Sequence, residues 1–151
     1  MRFDPTIDYG NEDLHLADDE TLVYWHFSQL IVVLIALSSE VEQQLHILDA
    51  GFTIDEIVSD FEIYFTQREH LSYDRHGLLT VGQMEKLWAL SRFFEERSGD
   101  KCPDFWNDDP LTVSTSPDWQ TMRSAAKEIL VDLHMEKLTL EMGQRIKIVR
   151  P

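Results

Sequence analysis

The sequence predicts an all-α single domain of about four helices, packed as an irregular or antiparallel bundle, with an acidic N-terminal arm and a possible short C-terminal strand. Three observations predict it. Thr53 with Glu56, and Thr80 with Gln83, form T-x-x-E/Q capping boxes, each standing before an apolar run at helical spacing. Only six glycines and five prolines punctuate 151 residues, which favours long regular elements over turns. A hydrophobic fraction of 43 %, with 11 % aromatics, supplies a sizeable core for one domain and is too apolar for a disordered acidic chain.

Residues 1–18 make the arm. They are polar and acidic and are broken by Pro5, Gly10 and Asn11, yet they carry Phe3, Ile7, Tyr9, Leu14 and Leu16, so the arm is expected to lie on the domain. The helical core spans 19–142. Its first helix is expected over about 19–49: Asp18, Asp19 and Glu20 suit the positive end of a helix dipole. The middle, QLIVVLIALSS, is apolar nearly all round and therefore central. Ile31, Val32, Val33 and Ile35 also suit a buried strand, but both flanks continue without a turn signal until Gly51, a natural helix C-cap.

The second helix begins at Thr53. Ile54, Ile57, Val58, Phe61, Tyr64 and Phe65 form its apolar stripe, which fades near Ser72 and leaves 73–77 as a loop. The third begins at Thr80, buries Met84, Leu87, Trp88, Leu90 and Phe94, turns Glu95, Glu96 and Arg97 to water, and ends at Gly99. Residues 99–116 are the longest non-periodic stretch in the domain. Pro103 and Pro110 discourage helix through it, and loops of that length are often functional or mobile. The fourth helix begins at Ser116, with Pro117 in the first helical position and Asp118 beside it. Its apolar positions are Met122, Ala126, Ile129, Leu130, Leu133 and Leu138, and it is expected to end at Gly143. The basic tail, 143–151, alternates basic and apolar residues, as a short strand against the arm or as a frayed end.

Charge is the most uneven property of the chain. Acids outnumber bases 28 to 13, and residues 1–60 hold thirteen acids against the single base Arg2, a net −12 of the total −15. Such a field attracts cationic surfaces and repels nucleic acid and anionic lipid, so neither nucleic acid nor membrane is an expected direct partner. The one cysteine, Cys102, excludes an internal disulfide and fits a reducing compartment. The opening MRFDPTIDYG lacks a signal-peptide core. The longest unbroken apolar run, Leu30 to Leu37, is eight residues, against roughly 20 for a membrane span. A soluble cytoplasmic protein is the expectation.

Chemical motifs are weak. His70, Asp74 and His76 cluster in REHLSYDRH, but H-x3-D-x-H crosses from a helix end into a loop and matches no metal spacing; exposed helix-end histidines are the plainer reading. His26 and His46 lie twenty residues apart on the expected first helix, His46 among leucines and an isoleucine as a boundary core residue. His15 and His134 stand in no motif. Cys102 has Lys101 beside it, but Asp100 and Asp104 oppose thiolate formation. The pairs Asp18/Asp19, Glu95/Glu96 and Asp108/Asp109 are sequence neighbours, which say nothing of a cleft. Residues 107–118 lack EF-hand spacing, and no phosphate-binding glycine loop occurs. No catalytic, cofactor or metal site is expected. One segment does stand out: DFWNDD (104–109) sets two aromatics among acids, either as an interface anchor in a polar rim or as rings that fold back and pin the loop.

A small, acidic, helical chain without a catalytic motif resembles the immunity proteins of bacterial toxin systems, those of contact-dependent growth inhibition among them; the resemblance is one of size, charge and class. It implies one-to-one binding of a cognate toxin domain, often a nuclease, whose basic active-site cleft the acids would fill in place of substrate phosphates. The expected partner-binding residues are Asp4, Asp8, Glu12, Asp13, Asp18, Asp19, Glu20, Asp104, Asp108 and Asp109, with Tyr9, Phe105 and Trp106 as anchors. The alternatives are a DNA-mimic or phage-type inhibitor of a nucleic-acid-binding protein, an enzyme with a site near His70 and His76, and a subunit whose apolar first helix completes a partner's core.

Overall fold

Among the described residues, 2–11, 18–67 and 69–151, the computed structural model of the chain is mostly helical and ends in a two-stranded sheet. The α-helices number seven rather than four: α1 (Asp19–Ser38), α2 (Val41–Asp49), α3 (Ile54–Phe61), α4 (Glu69–Arg75), α5 (Val81–Glu96), α6 (Pro110–Thr115) and α7 (Pro117–Asp132). A π-helical stretch, Glu62–Gln67, joins α3 towards α4, and 3-10 turns form at Tyr9–Asn11 and Pro103–Trp106. Strands β1 (Thr139–Glu141) and β2 (Lys147–Val149) pair antiparallel, with Leu140 opposite Ile148. The expected arm residues Glu12, Asp13, Leu14, His15 and Leu16 lie outside the described residues.

The extra helices come from breaks inside three expected segments. The first break follows α1. Ser38 and Ser39 both donate their hydroxyls to the Ile35 carbonyl, at 3.2 and 2.6 Å, and Ser39 and Glu40 turn to extended backbone. Serine competes in this way with the helix's own hydrogen bonds. Gln44, from the first turns of α2, then donates to the Ala36 and Leu37 carbonyls at 3.2 and 2.9 Å and closes the exposed end of α1. α2 ends as expected at Gly51, which takes φ +101°, with Gly51 N–H on Leu48 O and Phe52 N–H on Ile47 O.

The second expected helix widens into π-helix after Phe61. The carbonyls this leaves short of helical partners are met from α4: Tyr73 donates its hydroxyl to Tyr64 O, and a ring nitrogen of His70 lies 3.0 Å from Phe65 O. Residues 73–75, expected as loop, are therefore the last turn of α4, with Tyr73 fully buried. In the third segment Pro103 and Pro110 do not forbid helix. Each occupies the first position of a short one, where the missing N–H costs nothing. α7 stops at Asp132, well before the expected Gly143: Met135 N–H bonds Leu130 O at 2.8 Å, His134 N–H bonds Val131 O at 3.0 Å, and His134 takes the left-handed φ of +58°.

α1 is the centre. Residues 30–37 are buried without exception, and α7 packs most extensively against it, with α3, α4, the π-helical stretch and β1 around the rest. By length and composition α1 is apolar enough to cross a bilayer, unlike its eight-residue unbroken run, but 67 % of its most apolar window is covered by the fold. Polar flanks lengthen the window; burial by neighbours makes it a core helix. A chain of rings, Phe65–Phe61–Phe94–Phe105–Trp119, threads the core on the other side, neighbours lying 5.5 to 6.4 Å apart. The tail is a strand, as one of its two readings had it, but its partner is β1 and not the arm.

Candidate functional site

The acidic residues expected to meet a partner fall in two groups, and the structure treats them differently. Among the described residues of the arm, Asp4 and Asp8 are already occupied. Asp4 accepts hydrogen bonds from the Thr6 backbone N–H and hydroxyl at 2.9 and 2.7 Å, and Arg150 stands 3.6 Å away. Those Thr6 donors, aided by Arg150, hold the Asp4 carboxyl below its ordinary range. Asp8 accepts from Gly10 N–H and pairs with Arg145 at 3.0 Å. Tyr9 is 5 % exposed, its hydroxyl accepting the Asp4 N–H, its ring against Phe3 and Tyr24. Gly10 runs against Trp25 so closely that a Cβ would lie 2.5 Å from the indole nitrogen. Arm and hairpin thus neutralise each other, and Tyr9 is a core ring with no exposed surface to anchor a partner. Asp18 caps α1 by accepting the Thr21 N–H at 2.7 Å, which lowers its pKa; Asp19 and Glu20 follow in the first turn.

The DFWNDD segment divides in the same way. Phe105 is 2 % exposed among Phe93, Phe94 and Trp119, and its carbonyl accepts the Trp119 indole N–H at 3.0 Å. Trp106 is half-buried and donates its indole N–H to Arg97 O at 2.6 Å. Arg97 does not face water: its guanidinium stacks 3.7 Å over Phe93 and bonds Phe93 O and Asp118. Both rings therefore pin the loop, the second of the two readings of this segment. Asp109 caps α6 through Thr112 N–H, which lowers its pKa, and Asp108 accepts the Ile54 N–H at 3.2 Å. Asp104 is exposed.

That Asp108–Ile54 bond brings the entry of α6 beside the start of α3, and α6 packs on α2. Between them lies a hollow of about 490 Å³ lined by Leu45, His46, Leu48, Asp49, Thr53, Asp108 and Pro110. A second, of about 480 Å³, is lined by Glu40, Glu42, Gln43 and His46. No lysine or arginine lines either. Arg123 is turned inward, onto Gln44 Oε1 at 2.7 Å and Val113 O at 2.9 Å, and burial lowers its pKa. Among the described residues Glu40, Glu42, Asp49, Asp55, Asp104 and Asp108 make no ion pair within 4 Å, as is true of several other surface acids, while Asp118 pairs with Arg97, and Glu128 and Asp132 pair with Lys86. Reading 19–49 as one helix hid the meeting of Asp49 with Asp108 and of Glu40 with Glu42 around His46, because only the turn at Ser39–Glu40 swings α2 against α6. The adjacent serines were its one signal.

The histidines take structural contacts. His70 faces Phe65 O, and a ring nitrogen of His76 lies 2.9 Å from Ser72 O, so both sit on helix carbonyls and do not face one another's ligands. His46 is exposed between the two hollows. His26, which no motif marked, meets Glu69 at 2.7 Å beside Trp25 and Tyr64. Among the described residues no group of three or more His, Cys, Asp or Glu side chains is arranged to hold a metal ion. Cys102 is half-buried. Compared with protein-family models, with curated proteins and with solved structures, the chain matches none.

Proposed function

We propose that this protein binds and neutralises a cationic partner protein, as an immunity protein neutralises its cognate toxin, by covering a basic active-site or substrate surface; a nuclease is the kind of toxin whose surface fits. The observation that carries the reading is the group of carboxylates without ion pairs on α2, the start of α3 and the entry of α6. Asp108 holds the start of α3 and Glu42 and Asp55 suit their helix N-termini, but like charges gathered without a cation also repel one another. A partner's lysines and arginines would relieve that repulsion and be steered to it. The pairing of arm acids with Arg145 and Arg150 moves the expected contact away from the arm. The compact grouping on three short elements supports a plug for a cleft over a mimic of DNA, which would space carboxylates along one long face.

Affinity capture tests it. The full chain is immobilised, lysate of the source organism is applied at low salt, and bound proteins are eluted along a salt gradient and identified by mass spectrometry. The expected result is one basic protein, retained at one-to-one stoichiometry, whose toxic activity is suppressed by added chain. Retention of a DNA-processing enzyme alone would move the reading to mimicry, and failure to retain any cationic protein would remove it.

A further inference from the structure

Resting on that reading, we infer that the hollow between α2 and the entry of α6 is the docking site, and that its occupant is a protein segment presenting an apolar side chain flanked by lysine or arginine. The floor is apolar. Leu45 and Leu48 are half-buried, Pro110 closes the far side, and Leu111 beside it stands 72 % exposed. The rim is anionic from two separate segments, Asp49 on α2 and Asp108 before α6, and the adjoining hollow, reached past His46, extends it to Glu42.

Asp49 adds an independent argument. It is the last residue of α2, where the unpaired carbonyls of a helix end disfavour an anion. Asp132 occupies the same position in α7, but there Lys86 neutralises it. Asp49 has no such partner in the described residues. This carboxylate sits at a negative helix end beside Leu45 and Leu48, with His46 in the same turn and no lysine or arginine within ion-pair distance among the described residues. Phosphate or nucleic acid would be repelled here, and a purely hydrophilic polycation would leave the leucine floor uncovered. A segment with both characters matches both features.

The test titrates the isotope-labelled full chain at low salt with three synthetic peptides: alternating lysine and leucine, lysine alone with glycine, and the first peptide with glutamate for lysine. Amide shifts are expected to cluster on 41–49 and 108–111, with the lysine–glycine peptide about tenfold weaker and the glutamate peptide silent. The Glu42→Lys/Asp49→Lys variant is expected to bind the first peptide about tenfold more weakly, and Asp4→Asn/Asp8→Asn within about twofold of the parent. Glu42, Asp49 and Asp8 are exposed and Asp4 is half-buried, and circular dichroism verifies that the variants fold. Shifts centred on the arm or hairpin, or full affinity in the α2 variant, would overturn the docking site while leaving a cationic partner in place. No binding of either lysine peptide would overturn both.

Discussion

Asp60 shows how one residue carries the strain of an acidic surface. It is half-buried on α3, and burial, reinforced by Glu56 one turn earlier, raises its pKa above the ordinary aspartate value. The sign follows from linkage. Below the ordinary value, near pH ~3.9, both folded and unfolded chains hold the proton and Asp60 costs nothing. As pH rises the unfolded chain ionises first, and the folded state bears the full penalty once pH exceeds the raised folded value. Asp60→Asn is therefore expected to unfold at a higher temperature than the parent at pH 7, with the difference shrinking towards zero as pH falls through the carboxylate range. A difference that is constant with pH would mean that amide packing, not charge, is responsible. Asp18 and Asp109 act in the opposite direction. Their lowered values favour folding above the ordinary aspartate value, and that contribution is lost as pH falls through the folded values. Phe105 and His134 belong to this scale too. A Phe core contact typically stabilises by about 1.5–3 kcal/mol, enough to fold inward a loop that composition left open between an interface anchor and a core pin. His134 tolerates a left-handed backbone at a cost of roughly 1–2 kcal/mol because the two hydrogen bonds closing α7 require it.

Among the elements, those with an amphipathic stripe and a capping residue were legible. Thr80 and Gln83 form the reciprocal box in front of α5, Ser116 caps α7, and Thr53 caps α3, all as their spacing indicates. The candidate site was much less legible. Its acids were visible as a charge imbalance, but the grouping depends on α2 being a separate helix, and no periodicity reports a turn between two runs that are both helical. What holds that turn is long-range. Gln44 is buried at 2 % exposure, donates to two carbonyls of α1, and accepts from Arg123 of α7, which also donates to Val113 of α6. Four helices meet at this pair of an amide and a guanidinium. Gln44→Leu keeps the volume and leaves the two α1 carbonyls and one guanidinium N–H without partners, so a loss of about 2–4 kcal/mol is expected by chemical denaturation. Combined with Arg123→Met, the loss should fall short of the sum of the two by about 1 kcal/mol or more, because either change already breaks the same network. Additive losses would show that the two residues do not act together, and α2 would then be held against α6 by apolar contact alone.

At the scale of the whole molecule, charge is sorted by location. Among the described residues, hairpin bases pair with Asp8 and Asp4, Lys86 and Arg97 pair with acids of α7, and the carboxylates of α2 are among those without an ion pair. With a formal net charge of −15 this arrangement lowers stability through self-repulsion that salt screens over ~10 Å at 0.1 M and ~3 Å at 1 M. On the proposed reading, this cost in stability accompanies a surface kept for binding. Asp49 makes the trade measurable, since the same carboxylate opposes its own helix end and stands on the proposed rim. Asp49→Lys is expected to stabilise the free protein by about 0.3–1 kcal/mol at low salt, roughly 1–4 °C in melting temperature for a chain of this size, with the gain shrinking in 1 M sodium chloride. The same change is expected to weaken binding of a cationic partner. Stability and binding should therefore move in opposite directions from one exposed residue, and the melting temperature of the parent itself should rise with salt. A variant that binds less well and is also less stable would point to ordinary structural damage, and a salt-independent melting temperature would show that the clustered carboxylates do not repel one another enough to need a partner.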